Sequence, residues 1–192
     1  YAGNQVRIKV VEEVLQRQPA RIQTFMLQTS VLRTLTADLC TAVTEDKGAG
    51  QILRKLAAEN LFVLPLEGMG EWYRYHHLFA DLLKNRLQKD SSEQEILALY
   101  QQAGYWYREQ TNLDQAIKYY LLAQDFDQAV ILIEQVASST MLHGQLKTIL
   151  NWIEALPNSI LKNHPRIRFY QAWALSLSGQ PKIAENILED AK

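Results

Sequence analysis

One stretch of the chain breaks an otherwise helical rhythm, and that break limits the folds open to it. Leu61-Phe62-Val63-Leu64-Pro65-Leu66 and Trp72-Tyr73-Arg74-Tyr75 are two short β-prone runs, with Glu67-Gly68-Met69-Gly70-Glu71 between them as a glycine-rich loop of hairpin length. Elsewhere apolar residues recur at steps of three and four, the spacing that lines one face of a helix. Pro65 has no N–H to give to a ladder, so its end of the first strand is expected to face outward at an edge.

Four helices are expected before the hairpin. Val6, Val10, Val14 and Leu15 mark a leading helix that stops at Pro19, since proline disfavours the helical conformation in the residue before it. Pro19 suits the first turn of a second helix, in which Ile22, Phe25, Met26 and Thr29 share a face while Arg21 and Gln23 lie outside it. A third, short helix covers about residues 36–43, and Lys47-Gly48-Ala49-Gly50 breaks the chain before a fourth, at about 50–59, with Ile52, Leu53, Leu56 and Ala57 inward. After the hairpin, Leu78, Phe79, Leu82, Leu83 and Leu87 return to helical spacing. Three helices, a two-stranded hairpin and a closing helix are the plan of a winged-helix domain, here with a leading helix.

The polar run Gln88-Lys89-Asp90-Ser91-Ser92-Glu93 is the best linker, and Ser92 with Glu95 has the spacing of a capping box for the next helix. The expected domains are therefore 1–90 and 91–192. In the second, Tyr100, Ala103, Gly104, Tyr107, Ala116, Tyr120 and Ala123 fall where a tetratricopeptide repeat asks for large, small and aromatic residues. Small residues let two helices approach, and aromatics fill the grooves between them. Ala184 stands two such periods after Ala116, and Ala172, Gly179, Leu188 and Ala191 keep its register. In the middle period Leu150 replaces the alanine and Pro157 breaks the closing position, so that unit, with helices at about 126–138 and 145–156, is degenerate. The fold class is thus mainly α, a winged helix followed by an incomplete tetratricopeptide-like solenoid.

Of the 192 residues, 47% are apolar and 21% charged, which is ordinary globular composition and excludes a disordered chain. Lys+Arg 20 against Asp+Glu 21 leaves a formal charge of −1, so no global basic field exists to hold nucleic acid or an anionic membrane. The single cysteine, Cys40, excludes an internal disulfide framework, and with the absence of a long apolar run it makes the cytoplasm the expected compartment. No initiator methionine opens the chain, and Ile183, Ile187 and Leu188 keep an apolar rhythm close to its last residue. A piece of a longer protein is expected.

No phosphate-binding glycine loop, His-x-x-x-His pair or Gly-x-Ser-x-Gly elbow occurs, so this segment is expected to be neither an enzyme nor, by itself, a holder of ATP or a metal. His76-His77 is the odd polar feature, placed where the second strand turns into an apolar helix. A helix N-terminus favours an anion, and an imidazole there can donate to a phosphate. The alternative is structural: one histidine caps the helix and the other packs on Tyr75 and Phe79. Tyr105, Trp106, Arg108 and Tyr119 are candidates for a ligand surface on the repeats, or else pack neighbouring repeats. Arg54 and Lys55, with Glu59 nearby, are the only basic residues of the fourth helix, a thin basis for direct DNA binding.

Several ordered blocks resemble one family. They are Phe25-Met26-Leu27-Gln28-Thr29-Ser30-Val31-Leu32, Leu39-Cys40-Thr41-Ala42-Val43, Glu59-Asn60-Leu61-Phe62-Val63-Leu64-Pro65-Leu66 and Trp72-Tyr73-Arg74-Tyr75-His76-His77-Leu78-Phe79-Ala80-Asp81-Leu82-Leu83. Together with Val11-Glu12-Glu13-Val14-Leu15-Gln16-Arg17-Gln18-Pro19, they resemble the MalT-like, ATP-dependent LuxR-type transcriptional activators of bacteria, of the signal-transduction ATPase class. The resemblance implies a parent chain with an upstream P-loop ATPase domain, this winged helix, a superhelix of repeats and a DNA-binding helix-turn-helix at the end. ATP and ADP would then belong to the parent chain, and a small-molecule or protein inducer to the repeats. In related switch ATPases a Met-His-Asp-like motif of the winged helix contacts the β-phosphate of ADP. By that resemblance His76 matches the histidine, with Tyr75 in place of Met and His77 in place of Asp. A repeat scaffold for protein partners, or a DNA-binding winged helix, are the alternatives.

Overall fold

The computed structural model describes residues 12–66, 68 and 71–189. Its contacts divide the chain into two compact units, Tyr1–Trp106 and Tyr107–Lys192.

In the first unit residues 12–16 are helical and Leu15 is buried. Val6 and Val10 of the expected leading helix lie outside the described residues. Helix α1 (Ala20–Thr29) starts after Pro19, which sits at the N-cap with an extended ψ of 145°. Its carbonyl accepts the N–H groups of Ile22 and Gln23. Ile22, Phe25, Met26 and Thr29 form the buried face expected of them. Helix α2 (Ala37–Thr44) is capped by Thr36, whose side chain accepts from the Leu39 N–H at 3.2 Å, and Asp38 in its first turn complements the helix dipole. Helix α3 (Ala49–Ala58) buries Ile52, Leu53 and Leu56.

Strands β1 (Val63–Pro65) and β2 (Tyr73–Tyr75) pair antiparallel with Val63 opposite Tyr75 and Pro65 opposite Tyr73. A third, one-residue partner joins them: Leu35 exchanges both backbone hydrogen bonds with Tyr73, at 2.8 and 2.9 Å. The chain turns from β2 into α4 (His77–Asp90), which packs on α1. Phe79, Leu83 and Leu87, four apart, make its inner face, so Leu78, one position and about 100° round from Phe79, stands 41% exposed instead of joining the core as expected. Phe25, Met26, Leu35, Leu39, Leu53, Leu56, Phe79 and Leu83 are buried to 2% exposure or less. Burial of each such side chain is worth about 1.5–3 kcal/mol over leaving it in water.

Helix α5 (Glu93–Glu109) opens on the capping box expected from Ser92 and Glu95. Glu95 Oε2 accepts from the Ser92 N–H at 2.7 Å and from its hydroxyl at 2.8 Å, while Ser92 Oγ accepts from the Glu95 N–H at 3.3 Å. Helices α6 (Leu113–Leu122), α7 (Phe126–Leu142), α8 (Leu146–Glu154), α9 (Asn158–Asn163), α10 (Pro165–Leu177) and α11 (Pro181–Glu189) build the second unit. α6 packs on α7, α7 on α8, α8 on α10 and α10 on α11, a succession of helical repeats. Four of the turns use one device. Thr111, Gln124, Gly144 and Gly179 have φ of 57°, 56°, 75° and 80°, and the next N–H in each case reaches back to Tyr107, Tyr120, Thr140 and Leu175. That is the six-to-one bond of a Schellman cap, which satisfies a carbonyl the helix leaves open.

The middle pair departs from the sequence expectation. α7 runs on to Leu142, and Pro157 launches the short α9, which buries Leu161. Leu150 lies against a cluster of Ala172, Leu175 and Ala184, so two small residues of the next pair make room for the large one. Among the described residues no helix is long and apolar enough to cross a membrane.

Candidate functional site

His76 sits at the corner between β2 and α4. Alternation along the strand turns Tyr75 inward, where it is 5% exposed, and leaves His76 half-buried beyond it. The His76 backbone is held on both sides: its N–H donates to the Phe62 carbonyl at 2.8 Å, and its carbonyl accepts from the N–H groups of Phe79 and Ala80, each at 2.9 Å. Phe62 supplies its carbonyl from a left-handed conformation, φ 59°, which is costly for an aromatic residue. Its ring stacks on Phe79 at 4.9 Å, and Tyr75 meets the same ring edge-on at 5.7 Å.

The imidazole of His76 occupies the N-cap position without making a side-chain capping bond. Its ring lies beside that of His77, 4.4 Å between centroids, and His77 itself is exposed. No acidic residue stands in the first turn of α4, so the positive end of its dipole is not offset locally. The corner thus presents two imidazoles and the open N–H groups of a helix start, chemistry suited to an anion.

Beneath the corner lies a buried polar chain. The Thr29 hydroxyl donates to the Phe25 carbonyl at 2.7 Å and meets the Tyr75 hydroxyl at 2.7 Å. Thr29 has one proton to give, and the carbonyl can only accept, so Tyr75 is the donor to Thr29. Burial raises the Tyr75 phenol above its ordinary value, which keeps it a donor. Spacing alone gave no sign of this pair, which lies 46 residues apart.

The repeat candidates separate. Tyr105 is 50% exposed and Trp106 half-buried. Arg108 is half-buried, donates to Gln128 Oε1 at 3.0 Å and lies 3.7 Å from Glu109. Tyr119 is not a surface residue: it is 1% exposed and stacks on Tyr107 at 5.3 Å, because its helix turns this face inward. An apolar row not singled out from the sequence is Phe169, Trp173 and Leu177 on α10, exposed by 54%, 38% and 57%. One repeat period earlier the same positions carry Gln135, Ser139 and His143, also exposed but polar.

On α3, Arg54 faces Glu71 at 3.4 Å and Lys55 faces Glu59 at 3.9 Å, so each basic group is matched by a carboxylate.

Three helices, a small hairpin with a bridging residue and a closing helix define a winged-helix domain, followed by helical repeats. Residues 11–95 match the family model of the MalT winged helix domain, and the chain is similar over most of its length to MalT-type regulators. It is 28% identical over 183 residues to the HTH-type transcriptional regulator MalT of Vibrio parahaemolyticus, covering 95% of this chain and 20% of that protein. With MalT of Klebsiella pneumoniae it shares 30% identity over 166 residues, 86% of this chain and 18% of the relative. The serine/threonine-protein kinase PknK of Mycobacterium tuberculosis is 28% identical over 177 residues, 92% of this chain and 16% of the kinase. The chain therefore spans about a fifth of the length of these relatives.

Proposed function

We propose that this chain is the central regulatory segment of an inducer-controlled, ATP-dependent transcriptional regulator. In this reading the winged helix senses the nucleotide held by an upstream ATPase domain through His76, and the helical repeats receive a small-molecule or protein inducer. DNA is reached through a domain beyond this chain, the site of action is the cytoplasm, and the segment itself performs no catalysis.

The observation that carries the reading is the state of His76: a half-buried imidazole with its backbone fixed on both sides and its ring not used as a cap. A donor so held stabilises whichever conformation brings a phosphate to it, and loss of that phosphate shifts the population. The similarity to both a transcriptional regulator and a protein kinase supports a role in control, since those two proteins differ in output. The row of Phe169, Trp173 and Leu177 offers apolar surface of the kind an inducer needs.

The test is His76→Ala in the full-length polypeptide that carries this segment, with the rate of ADP release followed after gel filtration. Faster release is expected. Unchanged retention would reject nucleotide sensing and favour a scaffold of helical repeats for protein partners.

A further inference from the structure

We propose that Tyr75 is a positioning residue for His76, acting through its buried hydrogen bond to Thr29. The proposal rests on the nucleotide-sensing reading for its purpose, although the positioning itself is testable without any nucleotide.

The described part of β2 is three residues long, and its last residue is Tyr75, so little ladder remains to fix the direction of the chain as it leaves the sheet. Tyr75 stands opposite Val63 at a non-hydrogen-bonded position of the ladder, the next rung being the His76 N–H bond to Phe62, and its ring lies in the core edge-on to Phe79. Its hydroxyl ties this end of the strand to α1. Thr29 is fully buried, and its proton is committed to Phe25. The acceptor that Tyr75 meets is therefore fixed by the helix backbone rather than by a mobile side chain. Because side chains alternate along a strand, pinning Tyr75 inward sets the outward direction of His76, and the Phe62 carbonyl then fixes its peptide plane.

Removing the two hydroxyls has unequal consequences, which supplies the test. Tyr75→Phe leaves Thr29 satisfied by Phe25, so the variant is mild. Thr29→Val leaves a buried phenol without an acceptor and forces Tyr75 to move, whereas Thr29→Ser restores the acceptor. In the chain as it stands, the imidazole resonances of His76 are assigned by NMR in each variant. Displaced His76 signals are expected for Thr29→Val and Tyr75→Phe, and signals close to those of the unchanged protein for Thr29→Ser. Thr29→Val or Tyr75→Phe lowering Tm while His76 signals stay in place would overturn the proposal, and if Thr29→Val fails to fold, Tyr75→Phe decides it.

In the full-length polypeptide, Thr29→Val is expected to speed ADP release by about tenfold, and to add nothing further in a His76→Ala background. Additive effects would make the hydroxyl pair merely structural. If His76→Ala leaves ADP release unchanged, the nucleotide reading fails, and the NMR comparison still decides the positioning.

Discussion

Arg21 and Asp46, 25 residues apart, meet in a two-point ion pair, Nε to Oδ2 at 2.8 Å and Nη2 to Oδ1 at 2.6 Å. Asp46 Oδ1 also accepts the Gly48 N–H at 2.7 Å, so one carboxylate joins α1 to the turn between α2 and α3. The guanidinium hydrogen bond, helped by Gly48, holds the Asp46 carboxyl down at about 2. A folded value below the unfolded one means that the pair stabilises the fold above the unfolded carboxylate value of about 4 and that this contribution is lost as pH falls toward 2. Arg21→Ala is expected to lower Tm by about 2–4 °C at pH 7, with the difference vanishing near pH 2. A Cβ added at Gly48 would stand 2.5 Å from Arg21 Nη2. Gly48→Ala should therefore displace the Arg21 side chain and cost no more in the absence of Arg21, which thermal melts of the two single variants and the double variant will read.

Thr111 turns between α5 and α6 with φ 57°, where Gly144 and Gly179 perform the same turn in the later repeats. A β-branched residue is strained in that region, and glycine is not. Thr111→Gly is expected to stabilise the protein by about 0.5–1 kcal/mol, the relief of strain exceeding the entropy glycine adds to the unfolded chain. Urea titration gives the value, and a lower midpoint would show that the Thr111 side chain contributes more than its strain costs.

Cys40 is completely buried, and burial pushes its thiol up to about 12. The reactive thiolate is scarce at neutral pH, so labelling by a disulfide reagent at pH 8 should proceed no faster than the winged helix opens. Labelling at the rate of a free thiol would place Cys40 on the surface.

The basic groups of α3 are each paired with a carboxylate, and the hairpin loop carries Glu67 and Glu71 at its ends. This arrangement repels a phosphate backbone. The chain is expected to show no retention of duplex DNA in gel shifts at 150 mM salt, with or without Arg54→Glu and Lys55→Glu. Binding lost on that double substitution would establish the direct DNA-reading alternative.

The helices, the hairpin and the capping box were legible because each leaves a local periodic or spacing signal. Ile22, Phe25, Met26 and Thr29 share a face simply by recurring at helical steps. What stayed hidden depends on single residues or on distance. The Leu35 bridge is one residue long and has no period to detect. Tyr75 with Thr29, and Arg21 with Asp46, are partners only once the chain has folded back on itself. Leu78 and Tyr119 show the limit of periodicity: adjacent apolar residues announce a helix, but which of them points inward depends on where its neighbours lie. At the candidate site the sequence marked His76 as unusual and carried a family likeness, while the backbone clamp from Phe62 had no local signature.

Pro65 closes β1 on the side away from β2, as the Leu66 N–H bond to Trp72 implies for its neighbour. The outer rim of that strand consequently has no donor at its exposed end, so a β-strand from another molecule approaching it finds a rung missing there. The proline thus makes this end of the hairpin a poor edge for another strand to extend.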